Sequence, residues 1–329
     1  MLRFLIKRLL LASTTLVAIS IVTFLLFFAV PTSPAWVMCG RNCSPERIAQ
    51  VEQSLGLDQP ITTQYTDFVK GVFAGRTFDD AGTIRECDAP CLGYSFRSQE
   101  PVTDSLARTL PVTLSIVIGA MVVFLTVGIG LGMLAALRKG SVFDRVAIGA
   151  SVGFASTQTY TLGGVLLLVL VYSTGILPNP SYTPITENPL AWASGLLLPW
   201  ITLGLINSAL YARLSRAQMI ETLTEDFVRT ARAKGLPART VNRRHALRAA
   251  ITPLVTIAGV DLGSYLGGVV ITESVFSLNG IGRAAADAVA DLNLPLVMAT
   301  VLVAAFFIVT MNIIVDMLYA VIDPRVRLG

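Results

Sequence analysis

Asp261 stands in the middle of an apolar run. A carboxylate at mid-bilayer costs about 2.5–3.5 kcal/mol on insertion scales, so an acid in such a place needs a reason. Two chemistries supply one: a polar route for an ion or solute, or a hydrogen bond to a neighbouring helix. The same run carries Gly259, Gly263 and Gly267, a four-residue repeat of the kind that lets a second helix approach closely. Asp261 lies two residues from Gly259 and Gly263, about 200° around a helix, so it belongs to the opposite face. Ser264, Tyr265, Gly268 and Thr272 share that face. It is expected to form a pathway wall. Gln158 and Tyr160, in the polar patch Ser156-Thr157-Gln158-Thr159-Tyr160, are candidates for the same wall or for hydrogen bonds across the bundle. Asp316 and Glu273 sit near span ends, where interfacial solvation makes an acid cheap.

Four cysteines, Cys39, Cys43, Cys87 and Cys91, all lie in one polar segment. An even number confined to one loop predicts disulfides with a structural role, in any of three connectivities. The rival, a zinc site from two Cys-x-x-x-Cys pairs, has looser spacing than zinc knuckles use, so no metal is expected. The single histidine, His245, excludes histidine-based metal clusters and most catalytic triads. No phosphate-binding Gly-x-x-x-x-Gly-Lys-Ser/Thr loop and no Gly-x-Ser-x-Gly elbow occur, so neither ATP hydrolysis nor any other catalytic or cofactor role is expected of this chain.

The elements that must position these residues are membrane helices. Hydrophobic residues make up 53% of the 329, charged residues 14%, and the mean hydropathy is +0.68. Six runs are apolar and long enough to cross about 30 Å of hydrocarbon: Leu9–Val30, Val112–Leu137, Val146–Tyr172, Leu196–Ala212, Leu254–Thr272 and Leu296–Val321. Arg3, Lys7 and Arg8 precede the first, Arg138, Lys139 and Arg145 follow the second, and Arg325 and Arg327 end the chain. The loop after the third run has no Lys or Arg. This asymmetry predicts both termini in the cytoplasm, and it accounts for the net charge of +4 without a nucleic-acid partner. The first run exceeds a signal-peptide core and is expected to remain as an anchor.

Three parts follow. Residues 1–30 form the cytoplasmic tip and first span, 31–111 an extracytoplasmic loop domain, and 112–329 a five-helix core. In the loop domain, Ser44-Pro45-Glu46 opens a helix that Gly56 ends, and a second helix is predicted from Ile61 to Phe73, with irregular structure beyond Gly75.

Between the fourth and fifth spans lies the segment 221–253, with seven Lys or Arg against three acids. Its spacing predicts a helix over Glu221–Lys234 ended at Gly235, a second over Ala238–Ala250, and Pro253 at the start of the next span. Two short helices on a turn suit a groove in a soluble partner; the plainer alternative is a basic helix pair resting on anionic lipid.

The string Asp226-Phe227-Val228-Arg229-Thr230-Ala231-Arg232-Ala233-Lys234-Gly235-Leu236, followed by His245-Ala246-Leu247-Arg248 and Pro253, closely resembles the coupling loop of ABC importer permeases. The resemblance is to the peptide/nickel branch, and to its B-type subunit in particular. Gly56-Leu57-Asp58 with Pro60, Gln64-Tyr65, Pro101-Val102, Glu273-Ser274-Val275-Phe276-Ser277, Gly280-Ile281-Gly282-Arg283 and Asp323-Pro324-Arg325 match the same branch in order. It implies an all-α integral membrane protein with the type I importer fold and six transmembrane helices, in a bacterial cytoplasmic membrane. Arg229 to Gly235 (Arg229, Thr230, Ala231, Arg232, Ala233, Lys234, Gly235) would dock an ATPase. The implied partners are a second homologous permease, two cytoplasmic ATPases that hold ATP and Mg, an extracytoplasmic substrate-binding protein and membrane lipid. Relatives carry dipeptides, oligopeptides or nickel chelates, and the lack of a metal-ligand cluster in the spans favours peptides. Two departures stand out: Ser156 to Tyr160 replaces a Pro-x-Phe turn, and Phe78 to Gly93 reads as an insertion. The alternatives are an ion-coupled secondary transporter or channel that uses Asp261, and a membrane scaffold that transports nothing. No inverted repeat is apparent to support the first.

Overall fold

The computed structural model describes residues 2–28, 35–36, 44–80 and 83–322. Five helices among them are long and apolar enough to cross a membrane: Ile6–Phe28, Val102–Leu137, Pro189–Thr224, Ala238–Leu266 and Leu294–Met317. Val142–Ala155 and Thr159–Ser173 make a further span if taken together, bent by 102°. The bend falls on Ser156, Thr157 and Gln158, whose hydroxyl groups at Ser156 and Thr157 donate to carbonyls one turn back. Such back-bonding competes with the helix ladder and bends it.

Several boundaries differ from those expected. The second span begins at Val102 and passes through Pro111, and the fourth runs from Pro189 through Pro199 to Thr224. The fifth span has no separate start at Pro253. Ala238–Thr240, a widened turn over Val241–Ala246 and Leu247–Leu266 form one continuous stretch with Pro253 inside it. Within membranes a proline can be absorbed into a helix because neighbouring groups and local widening re-satisfy the freed carbonyl. Conversely, the fifth span stops at Leu266, and the chain restarts as Val270–Val275. Gly268, at φ +124°, takes a backbone conformation closed to other residues, and a Cβ on it would meet the Gly282 backbone at 2.6 Å.

Close packing divides the chain into two compact units. One comprises residues 1–113, 266–270 and 279–313. The helix Pro45–Leu55 starts where expected and ends at Gly56, in the left-handed region at φ +67°. Ile61–Ala74 follows, and beyond Gly75 the chain forms an antiparallel hairpin, Arg76–Asp80 with Thr83–Cys87, Arg76 facing Cys87. The hairpin corrects the irregular structure expected there. Its strands read Arg-Thr-Phe-Asp-Asp and Thr-Ile-Arg-Glu-Cys, too polar for an alternating signal. Cys87 is bonded to Cys91 in a local bridge, both sulfurs buried beside Phe78 and Tyr94; Cys39 and Cys43 lie outside the described residues. A second cluster packs Phe24 of the first span against Phe68 and Met298, with Phe24 stacked on Phe28 at 4.5 Å. Arg325, Arg327 and the Asp323-Pro324-Arg325 motif also fall outside the described residues.

The other unit comprises residues 114–265, 271–278 and 314–329. Gly128 and Gly132 approach the backbone of the Pro189–Thr224 helix closely. A Cβ on Gly132 would overlap the Ala212 carbonyl and Ser215 Oγ, and one on Gly128 would lie 2.8 Å from the Ser208 carbonyl. This small-residue seam was not among the sequence expectations. Of the predicted Gly259, Gly263 and Gly267 seam, Gly259 packs closely, since a Cβ there would overlap Val315, while Gly267 falls past the helix end at Leu266. Nearby, Asp144 takes two hydrogen bonds from the Arg216 guanidinium, at 2.6 and 2.7 Å, and one from the Gly140 amide. Ser141 caps the same helix by accepting from the Asp144 amide. The loop after the second span is thereby tied to the long helix that leads into the basic segment.

Candidate functional site: coupling segment and intramembrane polar cluster

The long helix breaks at Glu225, whose extended backbone (ψ 149°) redirects the chain into a short helix, Asp226–Ala233. The expected helix over Glu221–Lys234 is therefore two elements, with 221–224 belonging to the span. Asp226 is in the first turn and Arg232 in the last, the polarity that the helix dipole favours. Its end is a Schellman turn: the Gly235 amide donates to Arg232 O at 2.9 Å, and the Leu236 amide to Ala231 O at 3.3 Å. Gly235 stands at φ +77°, and nothing lies within 4 Å of where its Cβ would be. The turn therefore needs the conformation, while the space beside it is open.

Val228, 0% exposed, and Ala231 anchor this helix in a core with Met133, Met219, Val241, Ala246 and Leu254. Of the seven residues expected to dock a partner, Ala231 thus faces its own chain. Arg229, Thr230, Arg232, Ala233, Lys234 and Gly235 are exposed. Phe227 and Leu236 are exposed as well, at 46% and 38%. Phe227, Thr230 and Lys234 follow a 3–4 spacing and form one outward row. The site expectations left out Phe227, although an aromatic on the outer face of a short basic helix is the kind of anchor that interfaces use.

Asp261 is not alone. The Tyr211 hydroxyl, buried in the fourth span, donates to Asp261 Oδ2 at 2.7 Å. Tyr265 donates to Asn207 Oδ1, also at 2.7 Å, and Asn207 in turn donates to Leu203 O. Phe124 stacks on Tyr211 at 4.9 Å and closes the cluster on its apolar side. Two pairs between the fourth and fifth spans thus satisfy the acid and both phenols. Tyr211 and Asn207 are the members that the sequence reading missed; polar groups in an otherwise apolar span were the available signal. Ser264 is exposed and donates to Val260 O. Gln158 and Tyr160 are exposed and make no hydrogen bond to this cluster among the described residues. Glu273, expected to be cheaply solvated, is 0% exposed, with Thr272 beside it at 2%. Both lie on the short helix Val270–Val275, which begins after the break at Gly268.

Replacing Tyr211 by phenylalanine removes the donor and leaves the carboxylate in place. The expected cost is about 1 kcal/mol, as interhelical hydrogen bonds in membranes are worth. Thermal unfolding in detergent measures it, and Asp261→Asn should lose less because an amide oxygen still accepts from Tyr211.

Comparison with known proteins adds a family. A profile described as "Binding-prot-dependent transport system membrane comp, N-term" matches residues 1–117, and one described as "Binding-protein-dependent transport system inner membrane component" matches residues 128–328. The dipeptide transport system permease protein DppB of Escherichia coli (strain K12) is 34% identical over 351 residues, covering 99% of both chains. A putative peptide transport system permease protein of Brucella abortus (strain 2308) is 33% identical over 321 residues, 98% of each chain. A probable peptide ABC transporter permease protein of Sinorhizobium fredii is 32% identical over 325 residues, 98% of this chain and 99% of its own.

Proposed function

This chain belongs to the family of binding-protein-dependent transport system inner membrane components, and from that footing we propose that it carries peptides, as one half of the membrane pathway of an ATP-driven importer. Full-length similarity to permeases named for dipeptide and peptide transport supports the substrate class. The single structural observation behind the coupling role is the helix Asp226–Ala233, anchored by Val228 and Ala231 while Phe227, Thr230, Lys234 and Gly235 stay exposed. A short helix held on one face and open on the other suits a groove in a soluble subunit.

In this reading both termini and the 221–253 segment are cytoplasmic, and 31–111 forms the outer domain. Two ATPases, which bind ATP and Mg, dock on the exposed face of 226–236. A second homologous permease completes the pathway, and an extracytoplasmic binding protein delivers the peptide. Closure of the ATPases moves the Arg229–Gly235 segment as a rigid body and switches the bundle between two states. Exposed Gln158, Tyr160 and Ser264 contribute polar groups to the route, while Asp261 and Tyr265, held by Tyr211 and Asn207, brace it.

Affinity purification of the tagged chain from its native membrane, followed by reconstitution, tests the proposal. Recovery of an ATPase and a second permease, with dipeptide uptake that needs ATP inside the assay on the cytoplasmic face, is the expected result. Uptake that persists without ATP and collapses when the ion gradient is dissipated would replace this reading by the ion-coupled one, with Asp261 as its site.

A further inference from the structure

On the span that follows the basic segment, one face is wholly apolar and another adds two arginines to an apolar row. Val241, Ala246, Ala250, Leu254 and Ala258 turn into the unit and are at most 4% exposed. Beside that face Arg243, Leu247, Ile251 and Val255 recur every four residues, with Arg248 and Thr252 next to them; the two arginines are exposed, the others half-buried, and Leu247 and Ile251 also touch the inner core. These six line an open groove of about 480 Å³. Both arginines are exposed, and neither has an ion pair among the described residues.

The chemistry changes along the groove. One end has two guanidinium groups, whose planar forks match a phosphate diester. The rest is aliphatic: Leu247, Ile251 and Val255 supply no polar group, and the Thr252 hydroxyl is spent on Arg248 O. From Arg243 to Val255 the helix rises about 18 Å, more than half of the hydrocarbon thickness. No acid lines the groove to pair the two arginines, and no aromatic anchor stands in it. Basic pockets on the cytoplasmic side of membrane helices fit anionic lipid head groups.

We propose that this groove binds one anionic phospholipid. Arg243 and Arg248 hold its phosphate, and the upper part of an acyl chain lies along Leu247, Ile251 and Val255. Only the choice of leaflet rests on the orientation proposed above. A bound lipid here fills the outer face of the same helix whose inner face supports the coupling segment through Val241, Ala246 and Leu254.

The test is lipid occupancy of the full complex in nanodiscs of phosphatidylglycerol and phosphatidylcholine, read by native mass spectrometry after detergent transfer. Wild type should retain phosphatidylglycerol in preference to phosphatidylcholine. Arg243→Ala with Arg248→Ala should weaken that retention about thirtyfold, as two interfacial basic groups predict. Val255→Asp should weaken it through the chain-binding half, and Arg244→Ala, one residue away and outside the groove, should not. Equal retention in the double variant, equal retention of the two lipids, or an equal loss in Arg244→Ala would overturn the proposal. So would loss of an ATPase or second permease from the double variant with lipid occupancy unchanged, which would make the groove a protein interface. The same reading can be made on the chain purified alone, so failure of the transport proposal would not be confused with failure of this one.

Discussion

Gly132→Leu should destabilise the membrane core by about 3 kcal/mol. A Cβ at this position overlaps the Ala212 carbonyl and Ser215 Oγ before any longer side chain is considered. The Ala212 oxygen belongs to the backbone of the Pro189–Thr224 helix, so relief requires moving a helix rather than a rotamer. Ser215 loses more than space, because its hydroxyl sits over the Gly128 carbonyl at 3.4 Å and donates to Tyr211 O at 2.7 Å. Gly130, on the same segment, is the internal control, with nothing within 4 Å of its Cβ position. Gly130→Ala should be neutral or stabilise by about 0.5–1 kcal/mol through helix propensity. Thermal unfolding of the two variants in one detergent decides the matter. Equal behaviour would mean that the glycine seam does not set the helix separation.

Gly235→Arg should abolish coupled transport while leaving the fold intact. The left-handed conformation costs a side chain about 1–2 kcal/mol, and the open surroundings add no clash. The hydrogen bonds that close the turn use the backbone and survive the change. What changes is the surface: a long cation now stands between Thr230, Lys234 and Leu236, on the face proposed to enter the ATPase. ATP-dependent uptake should fall at least about tenfold, as loss of one well-packed interface contact would cause. The unfolding temperature should shift by only a few degrees. Gly235→Asn, whose side chain tolerates the left-handed region, should keep most activity. Normal uptake by Gly235→Arg would remove the coupling role from this segment; joint loss of stability and uptake would make the turn a folding element.

How much of this was legible beforehand differs from residue to residue. The membrane class, the first and last spans, the helix after Ser44 and the stop at Gly235 were all readable from the chain. Each follows from a local rule: hydrocarbon thickness against run length, a cap at a helix start, and a positive φ that glycine supplies. The basic segment was equally plain, because charge asymmetry across a membrane leaves a compositional trace.

Other features had no local trace. Pro253 looks like a boundary in sequence and lies within a helix in space, since its cost depends on what surrounds the freed carbonyl. Glu273 sits at the end of an apolar run, where solvation should be cheap, yet in the fold it is fully buried on a separate short helix. The Gly259 repeat was visible, but the backbone contact at Gly128 and Gly132 depends on Ser208, Ala212 and Ser215 arriving opposite them on another helix. The partners of Asp261 and Tyr265 were undecidable for the same reason. Tyr211 and Asn207 lie some fifty residues away, and only helix register brings the phenol within 2.7 Å of the acid. The sequence by itself thus determined the membrane class, the basic segment and the turn that ends its first helix, because hydropathy, charge and backbone conformation act over a few neighbouring residues. Only the tertiary structure decided which polar groups pair, which acids are buried and which faces stay open, because those depend on distances between residues far apart in the chain.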